Sequence, residues 1–526
     1  MQTVTKTYTG AKILTETLKQ LGTDTIFGYP GGIVLGVYDE LAQQNEIKHY
    51  LVRHEQSAVH AAEGYARVSG KCGVVIVTSG PGATNVVTGL ANAYLDGFPL
   101  VVITGQVSAE LLHQDAFQEV NIIDITKSCT KKNFQVTSAE NLQETLQEAF
   151  KTAMSGKKGP VVVDITKNVF SEKTEFHNIT PTAFESPKIP DVEQALQAVS
   201  SAQRPIIITG GGTMSASEEI RTFAHSLNIP VVSTMMGLGV YPADDENYLG
   251  MIGIFGDANK AVRESDLIIA VGTRFNDRVK GCLGKLENRL IHIDINKVLP
   301  DSIGLIGDAK DILSEMISKK CEAKDFTDWI NYAKTLCTKN YQKRSDRMHS
   351  FEIMDEIQKC LKDINPIITT EVGQHQVWTA RCLKFNETGK YITSGGLGTM
   401  GFGFPAAIGA SIAFNGNPVV CIAGDGSFQM NLQEIATCMD YKLPVKIFIM
   451  NNGYLGMVRQ FQEKTCEQRY FATKISNPDF VKLAESYGAK GIRVHKKEDI
   501  KPAIEQAFNS NQTVLIDFII EPEELL

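Results

Sequence analysis

Asp425 and Asn452 are the residues whose types and spacing point most directly to chemistry. They lie in GDGSFQMNLQEIATCMDYKLPVKIFIMNNGYLG, residues 424–456. Gly424-Asp425-Gly426 follows the apolar run PVVCIA, and Asn451-Asn452 closes the next, PVKIFIM, with 24 residues between Gly426 and Asn451. If these runs are adjacent strands of a parallel sheet, their C-terminal ends present Asp425 and Asn452 side by side, at the edge where such sheets bind ligands. One carboxylate and one amide oxygen cannot complete an octahedral shell, and Mg²⁺ usually takes its other oxygens from water and phosphate. The pair therefore expects a diphosphate. The N–H groups of Gly426 and Ser427, near a helix start, are placed to meet that anion. Alone, GDG reads as a tight turn with Asp425 capping a helix. A second motif at this distance, also after a strand, makes the metal reading far more specific.

The elements that must position these residues follow one rhythm: a short apolar run, a Gly-rich turn, a helical stretch. VVIVTSGPGATN (74–85), PLVVITGQ (99–106), RPIIITGGG (204–212), DLIIAVGTRF (266–275) and RLIHIDIN (289–296) repeat it. Unbroken apolar runs are what strands buried on both faces look like, and their alternation with helices implies βαβ units. The fold class is α/β, with three doubly wound parallel-sheet domains at about 1–180, 190–320 and 350–526. Residues 171–191, polar and with three prolines, read as a linker, and residues 319–350, charged and largely helical in composition, as a second connection. The first and third domains share a plan. The 526 residues suit about three domains, and a net charge of −8 argues against nucleic acid as partner. No stretch resembles a signal peptide or a membrane span. Ten cysteines without a C-x-x-C read as mostly buried cytosolic thiols, so a cytoplasmic setting is expected.

The spacing from GDG to NN is that of thiamine diphosphate enzymes, which the chain resembles. The resemblance implies that Asp425, Asn452 and the backbone carbonyl of Tyr454 hold Mg²⁺. It also calls for a carboxylic acid beside N1′ of the aminopyrimidine, in an apolar cleft that suits its pKa to proton transfer. Glu55, in LVRHEQSAVHAAEGYARVSGK (51–71), follows a strand-like segment and opens a helix whose Ala58, Ala61 and Ala62 permit close packing. In isolation it would merely favour a helix N-terminus. Beside GDG and NN it becomes the activating glutamate, and Glu63, two turns later, is the poorer candidate. Because Glu55 and GDG lie in different domains, the resemblance implies that they meet across a subunit interface, in a homodimer or homotetramer.

More closely, the chain resembles acetolactate synthase large subunits from about residue 8 to 523. DAFQE (115–119), GTRFNDRVKG (272–281), TEVGQHQVW (370–378), SGGLGTMGFGFPAAIGA (394–410) and MNNGYLGMVRQFQ (450–462) carry the likeness, with FGYPGG (27–32), RHEQ (53–56), GYAR (64–67) and TSGPGATN (78–85). The implied reaction is loss of CO₂ from pyruvate and joining of the two-carbon remainder to a second 2-keto acid. By the same likeness Gln374 and His375 contact the diphosphate, together with Gly426 and Ser427. The Gly398 carbonyl accepts from the 4′-amino group, Met400 wedges the cofactor into its bent shape, and Met457 meets the thiazolium end. Phe117, Gln118 and Lys167 line the substrate cleft, although Lys167 alone could equally be a surface lysine. Arg274 takes the acceptor carboxylate, for which a planar fork is suited. A small regulatory subunit is implied by analogy.

The middle domain lacks G-x-G-x-x-G spacing, and its first convincing strand-end acid, Asp294, comes 84 residues after Gly210, which argues against an ordinary NAD site. The resemblance implies FAD instead, without a net redox role, held by Gly210, Gly211, Thr234, Met235, Arg274, Arg278, Asp294 and Asp308. Phe255 replaces a histidine of the family pattern near the flavin, Ile33 replaces an alanine after PGG, and Phe461 replaces a tryptophan of synthases that favour 2-ketobutyrate. The chain stops at IIEPEELL, where similar synthases continue, which leads to the expectation of a more open cleft or of a lid from a partner. The alternatives are another thiamine diphosphate-dependent decarboxylase, carboligase or pyruvate oxidase, and a non-catalytic scaffold.

Overall fold

The structure, a computed structural model, describes residues 6–179, 188–286, 289–319, 325–339, 341–415 and 417–526. The apolar runs form strands covered on both faces, as in Gly73–Val77, Leu100–Gln106, Pro205–Thr209 and Val419–Gly424, where every residue is buried. They assemble into three six-stranded parallel sheets. A short antiparallel ribbon joins Lys6–Thr9 to Lys173–Phe176.

The N-terminal sheet runs, in spatial order, Lys48–Leu51, Thr25–Tyr29, Gly73–Val77, Leu100–Gln106, Pro160–Thr166 and Lys132–Val136. Counted along the chain this is the order 2-1-3-4-6-5. The C-terminal sheet, Tyr391–Ile392, Ile367–Thr370, Val419–Gly424, Val445–Asn451, Val514–Ile519 and Lys490–Val494, has the same order. The central sheet differs: Tyr248–Met251, Val231–Ser233, Pro205–Thr209, Leu267–Val271, Leu290–Asp294 and Ile303–Ile306 give 3-2-1-4-5-6, the order of dinucleotide-binding folds. The glycine-rich turns after Thr25–Tyr29, Gly73–Val77, Pro205–Thr209 and Val419–Gly424 fall where each order reverses direction.

The central core extends beyond the boundary expected near residue 320. The helix Thr327–Leu336 buries Trp329, Ala333 and Leu336 in it, and the Trp329 indole N–H donates to the Pro205 carbonyl at 2.8 Å. Apolar residues at 326, 329, 330, 333 and 336 have helical spacing, which the charged residues between them obscure. Residues 180–187 of the expected linker, and 320–324 and 340 of the second connection, lie outside the described residues, as does Cys321. The nine described cysteines are free; Cys129, Cys421 and Cys438 are buried and the other six half-buried, so "mostly buried" overstates them. Among the described residues no helix is long and apolar enough to cross a membrane.

The N- and C-terminal units meet through two helices, Glu55–Ser69 and Gly403–Ala413. Each carries an Ala-x-x-Gly step, Ala61 to Gly64 and Ala406 to Gly409. A Cβ built on Gly64 would fall 2.8 Å from the Ala406 Cα and carbonyl carbon, and one on Gly409 would fall 2.6 Å from the Ala61 carbonyl carbon. The carbonyl of each alanine thus sits in the notch of the other helix's glycine.

Candidate active site

The strands Val419–Gly424 and Val445–Asn451 are neighbours, with Gly424 opposite Met450, so Asp425 and Asn452 emerge together at one sheet edge. The Asp425 carboxylate is buried and accepts from Gly453 N–H (2.8 Å) and the Asn477 amide (2.7 Å); burial raises its pKa to about 6. Asn452 Oδ1 accepts from Tyr454 N–H at 2.9 Å. Residues 453–455 are pinned by a bridge from Tyr454 to Lys474 and by bonds from Leu455 N–H to the Thr473 carbonyl (2.7 Å) and from Ile475 N–H to the Gly453 carbonyl (3.0 Å). One cavity is lined by Asp425, Gly426, Ser427, Asn452, Tyr454, Gln374, His375, Met400 and Met457, so all the residues expected around the metal and diphosphate come together.

This cavity carries the marks of a ligand site. His375 is wholly buried and its Nε2 has no partner, which is costly unless a ligand atom meets it. Burial lowers its pKa to about 3, so the ring is neutral. A Cβ at Gly424 would fall 2.8 Å from the His375 ring, and one at Gly456 would fall 2.7 Å from the Asn452 amide and run into Gln374. Among the described residues no three His, Cys, Asp or Glu side chains cluster for a metal. A cation here would need oxygens from a bound anion.

Glu55 is the first residue of its helix, directly after the strand Lys48–Leu51 and the His54 cap. Its Oε2 accepts from the Asn85 amide at 2.9 Å, and the Gly82 position faces Oε1. Glu55 does not line the diphosphate cavity of its own chain. Phe117 is 89% exposed, and Gln118, at φ +59°, packs its Cβ against Gly80. Lys167 is exposed at the C-terminal end of Pro160–Thr166, and Ile33 packs on Gly105. These residues share the C-terminal edge of the N-terminal sheet.

A second cavity of about 1530 Å³ lies between the three units. Thr234, Met235, Gly211, Arg274, Arg278, Asp294 and Asp308 line it, as do Phe255, Phe461, Gly395 to Gly398 and Met457, which faces both cavities. Gly210 stands behind the wall, at the point where the central strand order reverses. A Cβ there would fall 2.6 Å from the Gly272 carbonyl carbon. Arg274 is exposed and lines the cavity, where a Cβ built on Gly396 would meet its guanidinium at 3.1 Å.

Sequence reasoning missed four contributors. Asn477 bridges Asp425 and Asn451 (2.7 and 2.9 Å) but sits in a stretch without any motif. Ser350 and Glu524 line the diphosphate cavity. The Glu524 carboxylate accepts from the Ser350 N–H (2.7 Å) and O–H (2.6 Å), and burial raises its pKa to about 7. The Glu524 carbonyl and Gln460 Oε1 take the Gln374 amide at 2.8 and 2.9 Å. Ile520 and Glu524 therefore form part of one wall of this cavity. Glu371, the fourth, is wholly buried and accepts from Gly401 and Phe404 N–H.

Three family models match the chain: the N-terminal TPP binding domain of thiamine pyrophosphate enzymes over residues 8–125, their central domain over 192–316 and their C-terminal TPP binding domain over 371–518. The acetolactate synthase large subunit of Haemophilus influenzae is 40% identical over 99% of this chain and 96% of its own length. That of Corynebacterium glutamicum is 41% identical over 97% of this chain and 87% of its own. The acetolactate synthase isozyme 3 large subunit of Escherichia coli is 37% identical over 98% and 95%. With the diphosphate-type cavity built as described and near-full-length identity of this order, the chain belongs to the acetolactate synthase large-subunit family of thiamine pyrophosphate enzymes.

Proposed function

We propose that this chain is a thiamine diphosphate- and Mg²⁺-dependent carboligase that decarboxylates pyruvate and joins the two-carbon unit to a second 2-keto acid, in branched-chain amino acid biosynthesis. The observation that carries the reading is the convergence of Asp425 and Asn452 on a cavity walled by the unpartnered His375 Nε2. Asp425, Asn452 and the Tyr454 carbonyl would hold Mg²⁺, whose other ligands come from diphosphate and water. Gln374, His375, Gly426 and Ser427 would receive the diphosphate. Thiamine diphosphate, when bound, supplies the electron sink that decarboxylation of a 2-keto acid requires.

The chain's own groups do the rest. Glu55 holds a proton at N1′ through Oε1, since Oε2 is committed to Asn85. With the cofactor bound, Gly398 would offer its carbonyl to the 4′-amino group, Met400 would pack against the cofactor from the diphosphate cavity, and Met457 would contact its thiazolium end. Phe117, Gln118 and Lys167 receive the donor keto acid, and Arg274 the acceptor carboxylate. Glu55 is absent from the wall of its own chain's cavity and Phe117 is bare, which supports sites shared between two copies in a homodimer or homotetramer. The 3-2-1-4-5-6 sheet and a cavity too large for a small ligand alone support FAD on the residues named above. Unpaired thiols support a cytoplasmic setting. The relatives' designation as large subunits supports a small regulatory partner.

The test is incubation with pyruvate, with and without thiamine diphosphate and Mg²⁺, followed by product analysis and a visible absorption spectrum. Cofactor-dependent acetolactate is expected, with flavin absorption. Acetaldehyde or acetyl phosphate as sole product overturns the synthase reading, and a colourless active enzyme overturns the flavin.

A further inference from the structure

Residues 394–404, SGGLGTMGFGF, carry both Gly398 and Met400 and are held from two ends by different units. At one end the Asp96 carboxylate, from the N-terminal unit, accepts from the N–H groups of Gly396 (2.6 Å) and Gly395 (3.2 Å). Arg67 holds Asp96 at 2.7 Å and also binds the Thr393 carbonyl at 2.9 Å. Ser394 Oγ accepts from Gly398 and Thr399 N–H (3.0 and 2.8 Å) while donating to Asn92 (2.5 Å). At the other end Glu371 Oε2 accepts from Gly401 N–H (2.6 Å) and Oε1 from Phe404 N–H (3.0 Å).

The carboxylate at 371 is an unusual way to end a helix. Phe402, the cap residue of Gly403–Ala413, makes no side-chain capping bond, so Glu371 does this from a different strand. Glu371 is wholly buried, and its stabilising partners are backbone amides rather than a cation. Burying a carboxylate without a countercharge is expensive, and a local cap would be cheaper. What the carboxylate adds is direction: its two oxygens fix two amides three residues apart, immediately after Met400. The Gly398 carbonyl, by contrast, has no hydrogen-bond partner among the described residues, and Met400 projects into the diphosphate cavity.

We propose that Glu371 and Asp96 are positioning residues that clamp this segment from its two ends and so set the Gly398 carbonyl and Met400 for the aminopyrimidine end of the cofactor. The proposal rests on the assignment of those two residues given above. It is tested in the full chain with Glu371→Gln and Asp96→Asn, by titrating thiamine diphosphate at saturating Mg²⁺ and pyruvate and recording the near-ultraviolet circular dichroism of the bound aminopyrimidine. Gln keeps the size of Glu but turns one acceptor into an NH₂ group facing a backbone donor. Displacements of about 1 Å cost roughly a hundredfold in rate. Glu371→Gln should therefore lower kcat at saturating cofactor by about tenfold or more and change the aminopyrimidine band, with KM for pyruvate within about threefold of wild type. Asp96→Asn should act in the same direction and decides the matter if Glu371→Gln does not fold. Wild-type kcat and an unchanged band in a folded, cofactor-saturated variant overturn the proposal. Wild-type turnover that ignores added thiamine diphosphate overturns the site assignment itself, which separates the two failures.

Discussion

Replacing Gly64 with alanine adds one methyl group at the tightest point between the N- and C-terminal units. The new Cβ would lie 2.8 Å from two backbone carbons of Ala406 and closer still to its oxygen, and backbone cannot swing aside as a flexible side chain can. Ordinary carbon contacts are about 3.5–4.0 Å, so the helices Glu55–Ser69 and Gly403–Ala413 must part by about 1 Å. Overpacking of this kind costs about 1–3 kcal/mol, against a gain of about 0.5–1 kcal/mol from replacing a helical glycine. The net expectation is a loss of about 1 kcal/mol. At about 2–4 °C per kcal/mol for units of this size, the first melting transition should fall by about 2–4 °C. Gly409→Ala, reciprocal in geometry, should behave alike. Gly36→Ala is the control: its Cβ would meet Ala11 and Phe170 at an ordinary 3.7 Å, so helix propensity alone should leave stability unchanged or slightly raised. Scanning calorimetry of the three variants is the assay. If Gly64→Ala melts at or above wild type, as propensity alone would dictate, the close-packing argument is wrong. Because Glu55 begins one helix and Met400 precedes the other, kcat should fall as well.

Glu55→Gln should fold normally, since among the described residues its side chain bonds only Asn85, and should lose at least about a hundredfold in turnover of pyruvate; retained activity removes Glu55 from the chemistry. Arg67→Met leaves Glu63 and Asp96 buried without their cation and should cost about 3–5 kcal/mol, read as a lowered first denaturant midpoint; an unshifted midpoint refutes this. Glu524 is held above its unfolded carboxylate value, at about 7, so its contribution is complete below pH about 4.5 and is lost as pH rises through about 7. Hydrogen exchange at residues 521–526 should therefore accelerate across that upper range beyond its intrinsic pH dependence, and constant protection would refute the coupling.

The parallel sheets were legible because strands buried on both faces leave unbroken apolar runs, and GDG with NN was legible because both motifs sit directly at strand ends. The stretch around Thr327–Leu336 was legible as helical, but not as part of the central core, because the apolar face that Trp329, Ala333 and Leu336 bury there is interrupted by Asp328, Asn331 and Lys334. Asn477, Ser350 and Glu524 were invisible for a different reason. Each reaches the site from far along the chain through a single polar group, and no local spacing announces a hydrogen bond across 52 or 174 residues. Glu371 stood in plain view inside TEVGQHQVW, but its role depends on amides that only the folded segment 394–404 brings to it.

The two Ala-x-x-Gly steps have a consequence for how such a chain can arise. Each helix follows the second strand of its sheet and leads into the third, and each receives the other's alanine carbonyl in its own glycine notch. A surface that is its own complement needs to be invented only once, because a second copy of it is the partner it fits about a twofold axis. Symmetry of that kind offers two equivalent edges, and the present chain has divided labour between them. One half kept an acid at the start of its helix, Glu55, and the other an aspartate at its third strand end, Asp425.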